Sequence, residues 1–241
     1  MQNQGGQNYQ EYQVIQLEED VWIIEDAGVR CFLFIGEHEA LLIDSGFGTG
    51  DLKAVVERLT NLPVMLVNTH ADRDHIGCNF QFDFAHMHPA EYDRYQGVNL
   101  KTSTPPRPLW EGDIIDIGGR CFKVILIPGH TPGSIALLDE NNHMLIGGDS
   151  VQTGSIYMFG PGRNLPAYIE SMEKLRGICD KVVDRVYPSH GEYPVKPDII
   201  EGLISGAKSI LSGNAKGVET AARDITVMEY DVCVAKFLCA S

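Results

Sequence analysis

Apolar positions in this chain come mostly in short runs rather than in long helical stripes. VIQL at 14–17, VWIIE at 21–25, VRCFLFIG at 29–36 and ALLID at 40–44 are rich in β-branched and aromatic residues. An Asp-Ala-Gly turn at 26–28 separates two of them, which predicts antiparallel hairpins. The period changes in DLKAVVERL at 51–59, where Leu52, Val55, Val56 and Leu59 share one helical face. VMLVN at 64–68 reads as a buried strand, and PAEYDRY at 89–95 as a helix with Pro89 in its first turn. Residues 96–108, containing TSTPPRP, read as a long loop. A second series of strands follows in DIIDI, CFKVILI, SIALLD and HMLIGG, then an amphipathic helix at 165–178. VDRVY is a further strand, PDIIEGLISGAKSIL (197–211) a helix weakened by Gly202 and Gly206, and the segment from Ile225 a strand. Both halves run strands first and helix after. The expected fold is therefore α/β, two packed sheets with helices outside, in a single domain over 14–241 behind a flexible tail of residues 1–13.

Composition narrows the partners. Among 241 residues, 19 are Lys or Arg and 33 are Asp or Glu, a net charge of −14. A nucleic-acid surface needs a basic stripe to displace counterions, so nucleic acid is not an expected partner. No apolar run reaches the length of a membrane span, and the polar start is unlike a secretory signal. The chain reads as cytoplasmic. Its six cysteines are scattered without a C-x-x-C pair, mostly in apolar runs, and read as buried free thiols.

The chemistry concentrates at strand ends. T-H-A-D-R-D-H-I-G (69–77) packs His70, Asp72, Asp74 and His75 into six positions directly after VMLVN. LLIDSGFG places Asp44 at the end of another strand, VILIPGHTPGS places His130, MLIGGDS places Asp149 and RVYPSHGEY places His190. A polar turn explains any one of these; five strand-end sites with the same logic point to a shared centre. His38, His86, His88 and His143 lie in other contexts and read as surface or structural histidines.

These motifs resemble those of the metallo-β-lactamase-fold superfamily, which includes glyoxalase-II-type thioesterases and lactonases. Its H-x-H-x-D-H motif and the separate His, Asp and His motifs that follow match in order, with intervals of 55, 19 and 41 residues from His75 through His130, Asp149 and His190. One position departs: Asp72 stands where the family has its second histidine. The resemblance implies an αββα four-layer sandwich with two divalent metal ions at one edge of the sheets. His70, Asp72 and His130 would hold the first ion, Asp74, His75 and His190 the second, and Asp149 would bridge both. Asp44 would orient ligands, as outer partners of metal ligands do. Two such ions about 3.5–4 Å apart lower the pKa of a shared water towards roughly 7. Attack of that hydroxide on a small ester, thioester, lactone or similar substrate is the expected reaction, with Asp74 or Asp149 moving a proton to the leaving group.

Zinc, iron and manganese are the candidate metals, and the carboxylate at 72 favours iron or manganese. The loop GSIYMFGPGRN after Asp149 would hang over the ions, so Tyr157, Phe159 and Arg163 are candidate substrate-wall residues, with Asn164 capping the next helix. A small molecule is the expected substrate, and a homodimer is left open. Two further readings remain at this stage. One is a diiron oxidoreductase akin to the metal domain of flavodiiron proteins, which would need a separate flavoprotein as electron donor. The other is a metal- or ligand-binding protein without turnover.

Overall fold

The computed structural model describes residues 12–98, 104–222 and 225–241. Residues 1–11 of the expected tail, and the centre of the expected 96–108 loop, lie outside the described residues. The first strand begins at Gln13, inside the segment expected to be tail.

A seven-stranded sheet takes the N-terminal half in sequence order: β1 (Gln13–Glu18), β2 (Val21–Asp26), β3 (Val29–Ile35), β4 (Ala40–Ile43), β5 (Val64–Val67), β6 (Ala85–Met87) and β7 (Pro106–Pro108). The first four strands pair antiparallel as hairpins. From β4 onward pairing is parallel, and α1 (Leu52–Leu59) makes the β4-to-β5 crossover. Asp51 caps α1 by accepting from the Ala54 amide at 3.0 Å. The next strands are β8 (Ile114–Asp116), β9 (Cys121–Leu126), β10 (Ile135–Asp139), β11 (Met144–Gly148), β12 (Ser155–Met158) and β13 (Arg185–Pro188). Five of them form a second sheet in the order β13-β11-β10-β9-β8. The helices α2 (Tyr92–Gly97), α3 (Leu165–Val182) and α4 (Ile199–Leu211) complete the outer layers.

Strand alternation sorts the core into three layers. Ile23, Phe32, Phe34, Leu41 and Ile43 of the first sheet meet Phe122, Val124, Leu137 and Ile146 of the second. The residues between them point outward: Ile24, Cys31, Leu33 and Leu42 pack on Leu52, Val55 and Val56 of α1. On the far side, Ile125, Ala136, Leu138 and Val186 pack on Tyr168, Met172, Leu175, Ile200 and Leu203 of α3 and α4. This is the αββα sandwich.

Four features differ from the sequence reading. Residues 89–95 are not one helix: Pro89–Glu91 form a 3₁₀ turn and α2 begins at Tyr92. Residues 106–108 are strand rather than loop, in the edge position that tolerates proline. The start of GSIYMFGPGRN is β12, part of a third sheet ordered β12-β16-β15-β14, with β14 (Val218–Ala222), β15 (Ile225–Asp231) and β16 (Lys236–Ala240). Gly202 and Gly206 of α4 serve packing: a Cβ at either would meet Val234 or Val232 at 2.7 and 2.5 Å. All six cysteines are free, but only Cys31, Cys78 and Cys179 are buried, while Cys121 and Cys239 are half-buried and Cys233 is exposed. No helix among the described residues is long and apolar enough to cross a membrane.

Candidate metal centre

Five strands deliver the candidate donors to one end of the sandwich. Asp44 follows β4, the 70–75 group follows β5, His130 follows β9, Asp149 follows β11 and His190 follows β13. Asp44 takes a left-handed backbone, φ 63°, which a non-glycine residue adopts at a cost that its surroundings must cover. They do: Asp44 is fully buried and accepts from the Thr69 amide, the Thr69 hydroxyl and His75 Nδ1, each at 2.8 Å. Gly129 lies against the backbone of Tyr168, where any Cβ would collide, so the His130 turn rests directly on α3.

Each of the four histidines has its Nδ1 tied to an acceptor. His75 Nδ1 donates to Asp44. His130 Nδ1 donates to the Tyr157 carbonyl at 3.0 Å, and His190 Nδ1 to the Gly28 carbonyl at 2.8 Å. Thr69 spends its single hydroxyl proton on Asp44, so its oxygen accepts from His70 Nδ1 at 3.0 Å. Every imidazole therefore presents a bare Nε2 to the centre. Second-layer hydrogen bonds fix ring tautomers at metal sites in this way.

The Nε2 atoms converge on three carboxylates. His70 and His130 Nε2 lie 3.3 Å apart, and Asp72 Oδ2 is 3.7 and 3.4 Å from them. His75 and His190 Nε2 lie 3.6 and 3.2 Å from Asp74 Oδ2. Asp149 faces both groups, its Oδ1 3.3 Å from His75 and 3.4 Å from His190, its Oδ2 3.6 Å from His130 and 3.9 Å from His70. His70–Asp72–His130, His70–His75–Asp149 and Asp74–His75–His190 each bring three ligand atoms within 4.8 Å of one another.

Two of the converging atoms, His75 Nε2 and Asp149 Oδ1, are buried without a hydrogen-bond partner. Two imidazole lone pairs facing one another at 3.3 Å also lack a proton to share. A buried set of acceptors short of donors is completed by cations, either protons on the imidazoles or bound metal, and the nitrogen and carboxylate groups suit first-row divalent metals. The titration of the metal-free cluster agrees. Burial pushes the carboxylates up and the imidazoles down, yet their mutual attraction wins at most positions: Asp149 and Asp72 are held well below the ordinary carboxylate range, Asp74 at about 2, and His75 and His190 above the ordinary histidine value. His130 goes the other way, lowered to about 4 by its burial and by the Arg163 guanidinium.

Three residues outside the sequence motifs hold the centre together. Glu91, fully buried, accepts from the Ala71 amide at 2.8 Å and the Gly133 amide at 2.7 Å, tying the His70–Asp72 turn to the loop after His130. Arg94 of α2 donates from Nη1 to Asp72 Oδ1 at 2.9 Å. Arg30 of β3 donates to the carbonyls of Pro188 and Gly191 on either side of His190. Glu91 and Arg94 come from a segment legible only as a short helix, where a first-turn glutamate already has a routine electrostatic explanation.

Of the candidate substrate-wall residues, Tyr157 lines a cleft of about 420 Å³ over the donors, with Ala27, Phe47, Gln152 and Ser155. Phe159 stacks at a tilt on Tyr157, ring centroids 5.4 Å apart. Arg163 turns inward instead, donating to Asp72 Oδ2 at 2.5 Å and to the His130 carbonyl. Asn164 caps α3, accepting from the Ala167 amide at 2.9 Å. His86 and His143 bond the carbonyls of Leu66 and Val182, and His88 packs on Trp110, all apart from the donor cluster.

Comparison with known proteins places these observations in context. A family model described as the metallo-beta-lactamase superfamily matches residues 25–190. An acyl-coenzyme A thioesterase of Gallus gallus (MBLAC2) is 30% identical, over 70% of this chain and 76% of its own length. A hydroxyacylglutathione hydrolase of Haemophilus influenzae (GloC) is 27% identical, over 65% of this chain and 82% of its own. Among solved structures, a metallo-beta-lactamase from Pontibacter korlensis superposes with a TM-score of 0.69 at 19% identity, covering 82% of this chain and 99% of that one.

Proposed function

The chain belongs to the metallo-β-lactamase superfamily, and from that membership we propose that it is a thioesterase with a dinuclear metal centre. Metal-dependent hydrolysis is the chemistry its relatives indicate, one an acyl-coenzyme A thioesterase and another a hydroxyacylglutathione hydrolase. The observation that carries the proposal is the convergence of four Nε2 atoms, each with its Nδ1 already tied, on three buried carboxylates.

His70, Asp72 and His130 would hold one ion, Asp74, His75 and His190 the other, and Asp149 both. When bound, such ions polarise a carbonyl oxygen and make water nucleophilic near neutral pH. The chain's own groups do the rest. Asp44, Thr69 and the carbonyls of Tyr157 and Gly28 keep the imidazoles aimed. Phe47 and Tyr157 give the acyl group an aromatic wall, and Gln152 and Ser155 supply polar contacts in the same cleft. Asp74 and Asp149, which line that cleft, would accept a proton from water and return it to the leaving group. A thiolate, with a parent pKa of about 8.5, departs without strong acid assistance, whereas an alkoxide or amide does not. That suits a cleft whose described lining offers only Tyr157, Ser155 and Gln152 as polar side chains beyond the candidate donors.

The test is a panel of acyl-coenzyme A and hydroxyacylglutathione thioesters, oxygen esters, lactones and phosphodiesters, run on freshly purified protein of measured metal content. Thioester hydrolysis should dominate, vanish on chelation and return with zinc, manganese or iron. Metal-bound protein that leaves every thioester intact while cleaving another bond class would overturn the substrate assignment.

A further inference from the structure

We propose that Arg163 and Arg94 make the two metal positions unequal, so that Asp74–His75–His190 fills first and tightly while His70–Asp72–His130 fills weakly. This rests on the dinuclear reading above and concerns how firmly each ion is held. Asp72 serves two masters. Its Oδ2, the oxygen 3.4 Å from His130 Nε2, accepts from Arg163 Nη2 at 2.5 Å, and its Oδ1 accepts from Arg94 Nη1 at 2.9 Å. Neither arginine swings away freely. Arg163 has only 5% of its side chain exposed and also donates to the His130 carbonyl, while Arg94 Nη2 donates to the Pro161 carbonyl at 2.7 Å.

A carboxylate oxygen carries two lone pairs, so Oδ2 retains one for a metal and direct ligation survives the clamp. The charge balance does not. Asp72 and its two guanidiniums sum to −1 + 2 = +1 beside the first position. Asp74 contributes −1 beside the second, and among the described residues no lysine or arginine is ion-paired with it. Asp149 faces both positions and cancels from the comparison. A dication thus meets a difference of two unit charges within a few ångströms. Even with strong screening, that separates the two affinities by at least about tenfold. The arginines also explain how a third carboxylate is tolerated in a cluster this buried: they neutralise it before any metal arrives.

The experiment is titration of metal-free protein with zinc and with manganese, followed by calorimetry and by competition against a chromophoric chelator. Wild type should show two steps with dissociation constants at least about tenfold apart. His130→Ala should delete the weaker step and His190→Ala the tighter one. Arg94→Gln, at the more exposed of the two guanidiniums, and Arg163→Leu should each tighten the weaker step and narrow the gap. Two equal steps in wild type, or an unchanged gap in both arginine variants with wild-type circular dichroism, would overturn the inference and leave the dinuclear reading standing. Absence of any metal binding would overturn both.

Discussion

Replacing Glu91 by glutamine tests whether the donor loops are held from outside the ligand set. The carboxylate is fully buried and accepts two backbone amides, from Ala71 at 2.8 Å and Gly133 at 2.7 Å. A glutamine keeps one oxygen, so one of those amides would face an NH₂ group and lose its acceptor. A hydrogen bond to a charged group contributes about 1.5–3 kcal/mol, and a buried donor left unpaired costs about 1–3 kcal/mol. Against this, a neutral amide is cheaper to bury than a carboxylate, which offsets part of the loss. The balance is a destabilisation of about 2 kcal/mol. In a domain of this size each kcal/mol moves the melting temperature by about 2–4 °C, so Glu91→Gln should melt roughly 4–8 °C lower. Glu91→Ala removes both acceptors and should fall further. The assay is scanning calorimetry of metal-free protein, which keeps metal linkage out of the measurement, followed by the metal titration described above. Glu91→Gln melting within a degree of wild type, with both metal steps unchanged, would refute the claim that this carboxylate sets the spacing of the His70 and His130 loops.

Three other expectations follow from the same geometry. Asp149→Ala should lose most hydrolysis and at least one metal equivalent by elemental analysis, since Asp149 faces both histidine pairs; full activity in that variant would contradict its bridging place. Asp72→His should not simply shift preference towards zinc: it strands the Arg163 guanidinium, and breaking a buried pair costs about 3–5 kcal/mol, so the variant should be markedly unstable in urea and recover with Arg163→Leu added. His130 titrates at about 4 in the folded metal-free chain against an ordinary 6.5, so between those values the unfolded chain binds more protons and stability falls as pH falls. Up to about 3 kcal/mol should disappear from pH 7 to 4.5, and the urea-midpoint gap between wild type and His130→Gln should shrink accordingly; a gap constant with pH would count against it.

The candidate donors were legible in the sequence because each sits in the turn that follows an apolar run, and a strand end has a fixed address once the strand is recognised. Asp44, the 70–75 group, His130, Asp149 and His190 needed no long-range information to be read as strand-end groups. The sandwich itself followed from the period-2 runs and the two helical stripes. What was not legible depends on contacts between distant segments. Glu91 reaches a loop 42 residues later in the chain, and Arg94 and Arg163 meet on Asp72 from positions 22 and 91 residues after it. The glycines of α4 looked like defects because their purpose, room for Val232 and Val234, lies in a segment whose path the local pattern does not specify. The third sheet escaped for the same reason: β12 reads as a Gly-rich connection until its parallel partner β16 is known.

That parallel pairing has a bearing on how the protein comes into being. Tyr157 lies opposite Leu238 in the ladder, and the carbonyl of Tyr157 is what fixes the ring of His130. A nascent chain emerging from the ribosome presents all seven candidate donors by the time His190 is made, yet the strand that braces β12 is synthesised only after α4 and the β14–β15 hairpin. The first half of the sandwich can assemble while translation continues; the His130 side of the centre waits for residues outside the candidate ligand set. Premature termination past His190 would therefore release a chain with every donor in its sequence and one imidazole poorly aimed.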